Sequence, residues 1–189
     1  MVKYLITPLF VLSLFLHNGC SMTHFNTANP LKKGEKQIGV GGAVWMADWN
    51  SGIVLCEIDG RMGLTESGWV DIGLKSEIWE GYSSPSVIFD ARFRFLNQDK
   101  HGISMALQPG AGPGDAYLGL LASRRFDWIE PYAAYKIHLM FSKWHAGFRL
   151  KTWDWMYVVP EATLVRFEGP FDGKQYWSYA GGLAFQFVF

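Results

Sequence analysis

Two histidines are the first side chains to weigh for chemistry. His138 and His145 straddle the short segment Phe141 to Trp144, which places both toward one rim of whatever fold carries them. An imidazole there could serve as a general base, given a hydroxyl within hydrogen-bond reach and a carboxylate to orient it. Ser104, Ser123 and Asp115 carry the right groups, but no spacing ties any of them to either histidine, so no catalytic residue is assigned. The sequence holds no His-Glu-x-x-His, no Cys-x-x-Cys and no calcium-loop spacing, so neither a metal nor a cofactor is expected.

A second kind of chemistry is more insistent. Glu57, Asp59, Asp71, Glu77, Asp90 and Glu161 recur on the same parity of their segments as Arg61, Lys75, Arg92, Arg94, Lys136, Arg149 and Lys151. Near-equal numbers of acids and bases on one face could form an ion-pair network if that face were enclosed.

The elements that carry them alternate with a period of two. From Val70 to Ile78, the residues Val70, Ile72, Leu74, Ser76 and Ile78 oppose Asp71, Gly73, Lys75 and Glu77. Phe89, Ala91, Phe93 and Phe95 likewise oppose Asp90, Arg92 and Arg94. A strand puts each set on one face, whereas a helix would scatter the charges around its circumference. Turn residues punctuate the pattern at 48–52, 81–85, 97–102, 109–114 and 168–173. The pattern predicts ten strands, over 37–46, 52–64, 68–79, 86–96, 102–108, 115–125, 131–141, 144–152, 156–167 and 176–189. Eight is the alternative count, because Pro160 interrupts the last pair but one.

The whole chain agrees with this class. It has 189 residues, 16% of them aromatic and only 18% charged, with a formal net charge of 0. That excludes a disordered chain and a basic nucleic-acid binder, and it suits a helical bundle poorly. Alternation alone leaves the direction of the apolar face open. Apolar residues inside would make a soluble lipocalin-like barrel, with Phe93, Ile72 and Leu150 lining a site for an apolar ligand. Apolar residues outside would make a closed antiparallel up-and-down transmembrane β-barrel. Runs of 10 to 13 residues match a membrane-crossing strand better than the soluble mode of about 5 to 6. Aromatics such as Trp45, Trp49, Trp69, Trp79, Tyr82, Trp128, Tyr132, Trp153, Tyr157 and Trp177 gather at strand ends, as interfacial girdles require. The outward arrangement is therefore expected. The charged parity then fills a lumen too narrow for a porin-like bore, and little conductance is expected.

Both ends of the chain carry family resemblances. Lys3 followed by the apolar stretch Leu5 to Leu16 reads as an export signal, and Gly19-Cys20 resembles a bacterial lipobox. That resemblance implies removal of residues 1–19 and acylation of Cys20. Residues 20–36 are polar and read as a tether, leaving 37–189 as the barrel. At the other end Tyr179, Gly181, Leu183, Phe185, Phe187 and Phe189 share one parity, and the sequence stops on Phe189. This strand resembles the C-terminal β-signal of bacterial outer-membrane β-barrels, with Tyr179, Leu183, Phe185, Phe187 and Phe189 as the insertion signal. The resemblance implies two partners, the barrel-insertion machinery and outer-membrane lipid. An even strand number would return both termini to the periplasmic side. A structural or surface-interaction role in the envelope follows. A lipid-modifying enzyme using His138 or His145 is a weaker alternative.

Overall fold

The computed structural model describes residues 24–48, 51–80, 85–112, 115–138, 141–168 and 175–189. The signal segment, Cys20, Trp49 and Tyr82 lie outside these residues. Ten strands follow one another around a single closed sheet: β1 Lys36–Asp48, β2 Ser51–Gly63, β3 Val70–Trp79, β4 Ser86–Leu96, β5 Ser104–Gly112, β6 Asp115–Ser123, β7 Ile129–His138, β8 Phe141–Trp153, β9 Met156–Glu168 and β10 Gln175–Val188. Each pairs antiparallel with its chain neighbours, and β1 pairs with β10 from Gln37↔Val188 to Met46↔Tyr179, which closes the barrel. The fold is thus the ten-stranded up-and-down barrel. Closure leaves no strand with an unpaired edge.

Two prolines show why the count is ten and not eight. Pro160 pairs with Leu183 on β10 but has no partner on β8, where the register passes from Gly147↔Glu161 to Leu150↔Val158. Pro109 pairs with Leu118 on β6 and is likewise skipped on the β4 side. A missing N–H costs one rung to one neighbour, and the ladder to the other neighbour carries the strand through.

Lys36 and Phe189 meet at one end of the barrel, where their backbones exchange two hydrogen bonds. We call this the near mouth; the turns after β2, β4, β6 and β8 lie there too. One of them turns on Thr65, whose hydroxyl accepts from the Trp69 and Val70 amides. Another holds a short helix, α1 Gln98–His101, capped by Asn97 and ended by Gly102 at φ 75°. The C-terminal ends of β1, β3, β5, β7 and β9 lie at the opposite, far mouth.

The two faces of the sheet have opposite character. Outward positions of the strand bodies are apolar or small, with Ser76 and Ser142 the polar exceptions; Ile58 and Phe89 are 58% and 64% exposed. Cys56 is exposed on this face. Arg166, close to the far end of β9, lies beside the Trp177 ring. In β10 the outward residues from Tyr179 to Phe187 cover a height of ~21 Å at a strand tilt of about 40°. Inward positions carry the charges: Glu57, Arg61, Asp71, Lys75, Glu77 and Arg92 are all buried.

The girdle expectation needs correction at several rings. Trp69, Trp128, Trp153 and Trp177 are exposed on the outside. Trp45 and Trp79 instead turn inward at the far mouth, packing edge to face on each other beside Ala43, Leu55 and Val165. Tyr132 is buried in the lumen and Tyr157 lies under Arg149.

The tether expectation is corrected more deeply. Residues 24–28, 30 and 31 are buried inside the barrel. Lys32 and Lys33 form parallel bridges with Thr65 and Gly63 at the near mouth, and from there the chain runs inward. A Cβ on Gly63 would stand 2.0 Å from the Lys32 carbonyl oxygen, so this close passage requires glycine. A polar segment fits here because the barrel interior is itself polar.

Candidate functional site: the lumen and its N-terminal plug

Asp71 organises the near half of the lumen. Its carboxylate accepts from Arg61 Nη2 at 2.8 Å, from Arg92 Nε at 3.0 Å and from Arg92 Nη2. It also accepts from the Leu31 amide at 3.0 Å, tying the inserted segment to the wall. Arg61 continues the chain of charge to Asp90 at 2.7 Å, and Tyr117 donates to the other Asp90 oxygen. Arg92 Nη1 donates to the Thr27 carbonyl at 2.7 Å. These strands bring acids and bases together because like parity on adjacent antiparallel strands shares one face.

Glu161 does the same work higher in the lumen. It accepts from the His24 and Phe25 amides, both at 2.7 Å, and from the Tyr132 hydroxyl at 2.6 Å. His145 Nδ1 lies 3.2 Å from it and 2.9 Å from Thr163 Oγ1. Gln186 donates to the Phe25 carbonyl. The Phe25 ring is fully buried against Tyr132, Val159 and Ala184, where a Cβ on Gly182 would approach it to 2.8 Å. Ala28 sits against Ala106, Leu121 and Ala134, with its amide on Ser123 Oγ at 3.2 Å. Asn29 bridges the near rim, donating to Glu130 at 2.6 Å and accepting from Ser104 at 2.7 Å.

The far half has no such visitor among the described residues. Lys75 stands between Glu57 at 2.7 Å and Glu77 at 2.9 Å. Lys136 and Lys143 lie over the Tyr117 and Phe141 rings at 4.4 and 4.7 Å.

Of the charges singled out in the sequence, Glu57, Asp59, Arg61, Asp71, Lys75, Glu77, Asp90, Arg92, Lys136, Arg149 and Glu161 are buried in the lumen. Arg94 is half-buried at the near mouth, donating to the Ser67 carbonyl. Lys151 does not join them. It stands exposed at the near rim and pairs with Asp154 of the β8–β9 turn, whose carboxyl that hydrogen bond holds below its ordinary value. Glu130, Lys143, His24 and Gln186 are lumen residues that sequence reasoning missed.

The histidines do not form a catalytic constellation. His138 stacks on Phe141 near the far mouth, and His145 is bonded to Glu161 and Thr163. Ser104 and Ser123 lie at the near mouth on Asn29 and Glu130. The Asp115 side chain is not among those described. Among the described residues no group of three or more His, Cys, Asp or Glu could hold a metal ion.

Tyr179, Leu183, Phe185, Phe187 and Phe189 all lie on the outward parity of the closing strand, with Phe189 63% exposed.

No protein-family model matches the sequence, and no curated protein is similar to it. Among solved structures, the chain is similar to a de novo designed transmembrane β-barrel at 9% identity, over 85% of this chain and 99% of that one, with a TM-score of 0.44. It is also similar to the N-terminal β-barrel domain of Pseudomonas aeruginosa OprF, at 14% identity over 84% and 100% of the chains, TM-score 0.40. Neisserial surface protein A aligns at 8% identity over 82% and 94%, TM-score 0.36. Likeness at this level carries no argument about activity, and the fold rests on the closed ladder itself.

Proposed function

We propose that the protein is a small outer-membrane β-barrel that spans lipid with a sealed lumen and serves the envelope structurally or as a surface for interaction, without enzymatic activity. The inverted sheet supports the membrane assignment. An uncharged apolar belt would be costly in water, and a closed sheet satisfies every backbone group without it. In this reading residues 1–19 are the export signal, Cys20 carries lipid, and the β10 strand ending at Phe189 is what the insertion machinery reads.

The observation that carries the sealed lumen is the inserted segment. Residues 24–31 take up the near half of a barrel whose width is already of the order that side chains fill. Its backbone is bonded to Asp71, Arg92, Ser123, Glu161 and Gln186, so it belongs to the wall's network. Among the described residues the buried interior positions are mostly charged or polar, unlike an apolar chamber of the lipocalin kind.

Single-channel recording on the purified full-length protein in a planar lipid bilayer tests this. A quiet baseline is expected. Stable steps of porin size from the wild-type protein would refute the sealed lumen.

A further inference from the structure

The outer face of β1 to β5 is not evenly covered. Two rows of outward side chains cross these strands, Lys36↔Met62↔Ile72↔Ala91 and Ile38↔Gly60↔Leu74↔Phe89↔Ala111. Between them runs the inward row Gln37↔Arg61↔Gly73↔Asp90↔Gly110, which offers this face only its backbone. With Phe189 beside Lys36, the two rows wall an apolar groove of about 780 Å³ over that backbone floor. Gly60 leaves a gap in the second wall, since a Cβ there would meet nothing within 4 Å. Ala91 and Ala111 keep the walls low farther along.

The groove has the dimensions of one hydrocarbon chain in one leaflet. Its walls stand two residues apart along each strand, about 6.6 Å, whereas a helix needs about 10 Å. Four strand-to-strand steps make it about 19 Å long, and at a strand tilt of about 40° it climbs about 12 Å from the near rim. That is half of an apolar band about 25 Å tall.

Its two ends differ. Phe89 and Ala111 make the upper end apolar. Lys36 stands at the lower end, exposed and on the outward parity, level with the backbone bonds that join it to Phe189. A lysine so placed lays its stem along the apolar wall and keeps its ammonium at the membrane–water interface, where lipid phosphates lie. Resting on the membrane reading above, we propose that the groove is a phospholipid site. One acyl chain of a glycerophospholipid from the leaflet at the near mouth lies between the two rows, and the lipid's phosphate pairs with the Lys36 ammonium. The bilayer supplies both halves of this ligand in the right order, with the anion at the rim and the chain toward mid-membrane.

Native mass spectrometry of the detergent-solubilised full-length protein, titrated with phosphatidylglycerol, tests the site. The wild type is expected to retain one lipid per barrel. Gly60→Leu fills the gap and is expected to weaken that binding about tenfold. Lys36→Gln keeps the stem without the charge and is expected to weaken it about three- to fivefold. Gly181→Leu is the control, at an outward position of β10 where a Cβ likewise meets nothing within 4 Å, and is expected to bind as the wild type does. Binding by either groove variant equal to the wild type's overturns the site. So does a dimer that Gly60→Leu abolishes while no lipid is bound, which would make the groove a contact between two copies. Carbonate extraction from phosphatidylglycerol vesicles separates the two layers of the reading. Wild-type protein released by carbonate refutes the membrane reading, whereas protein that stays in the vesicles but retains no lipid refutes the site alone. Should Gly60→Leu lose heat-modifiable migration, Ala91→Leu fills the same groove from the other wall.

Discussion

The near and far halves of the lumen solve one problem in different ways. Both must satisfy charges removed from water, where an unpaired one costs several kcal/mol. In the far half charges of the wall pair with one another across neighbouring strands: Lys75 neutralises Glu57 and Glu77. In the near half the wall's charges reach beyond their own pairs. Asp71, Arg92 and Glu161 each keep one or more bonds for the backbone of residues 24–31. A charge network can therefore be a filler in one place and a binding surface for a peptide backbone in another.

Substitutions that break the two halves separately sharpen the contrast. Arg92→Leu is expected to have the largest effect, about 4–5 kcal/mol, because it strips Asp71 of its bidentate partner and the Thr27 carbonyl of its donor. Denaturant unfolding in lipid vesicles measures this, and the inserted segment is expected to become protease-sensitive at the same time. Lys75→Met comes next, at about 3–4 kcal/mol, by leaving two carboxylates facing each other. Here the same protease assay is expected to find the segment still protected. If both variants release the segment, the halves are not independent. Glu161→Gln preserves shape and weakens the bonds to the His24 and Phe25 amides, for about 2 kcal/mol. Lys151→Ala is expected to change nothing measurable in the same unfolding assay, since its pair with Asp154 stands in water.

The barrel was largely legible because alternation is a local signal. Val70 to Ile78 declares two faces without knowledge of any neighbour, and every one of the ten expected strands has its counterpart within a few residues. Residues whose role depends on what surrounds them were not legible. Glu130 precedes Pro131 at the start of β7, and Lys143 falls where a turn was expected, so neither had an alternating context. Trp45 and Trp79 have girdle positions, but they continue the parities of Gln37–Ala43 and Asp71–Glu77, and that parity, not their place at a strand end, turns them inward. The segment His24 to Leu31 misled for a physical reason. Polarity signals exposure when the alternative is an apolar core, and it loses that meaning inside a charged lumen. Lys151 failed in the opposite sense, since it is the last register-regular residue of β8 against β9, at the near rim where its side chain reaches water.

Amide hydrogen exchange of the detergent-solubilised full-length protein tests the sealed, occupied lumen most directly. The amides of His24, Phe25, Ala28 and Leu31 all donate to buried acceptors of the wall. They are expected to exchange as slowly as the neighbouring strand amides of β3 and β9. Exchange at the rates of an unstructured chain, with the strands still protected, would show residues 24–31 to be a solvated tether and would contradict the account.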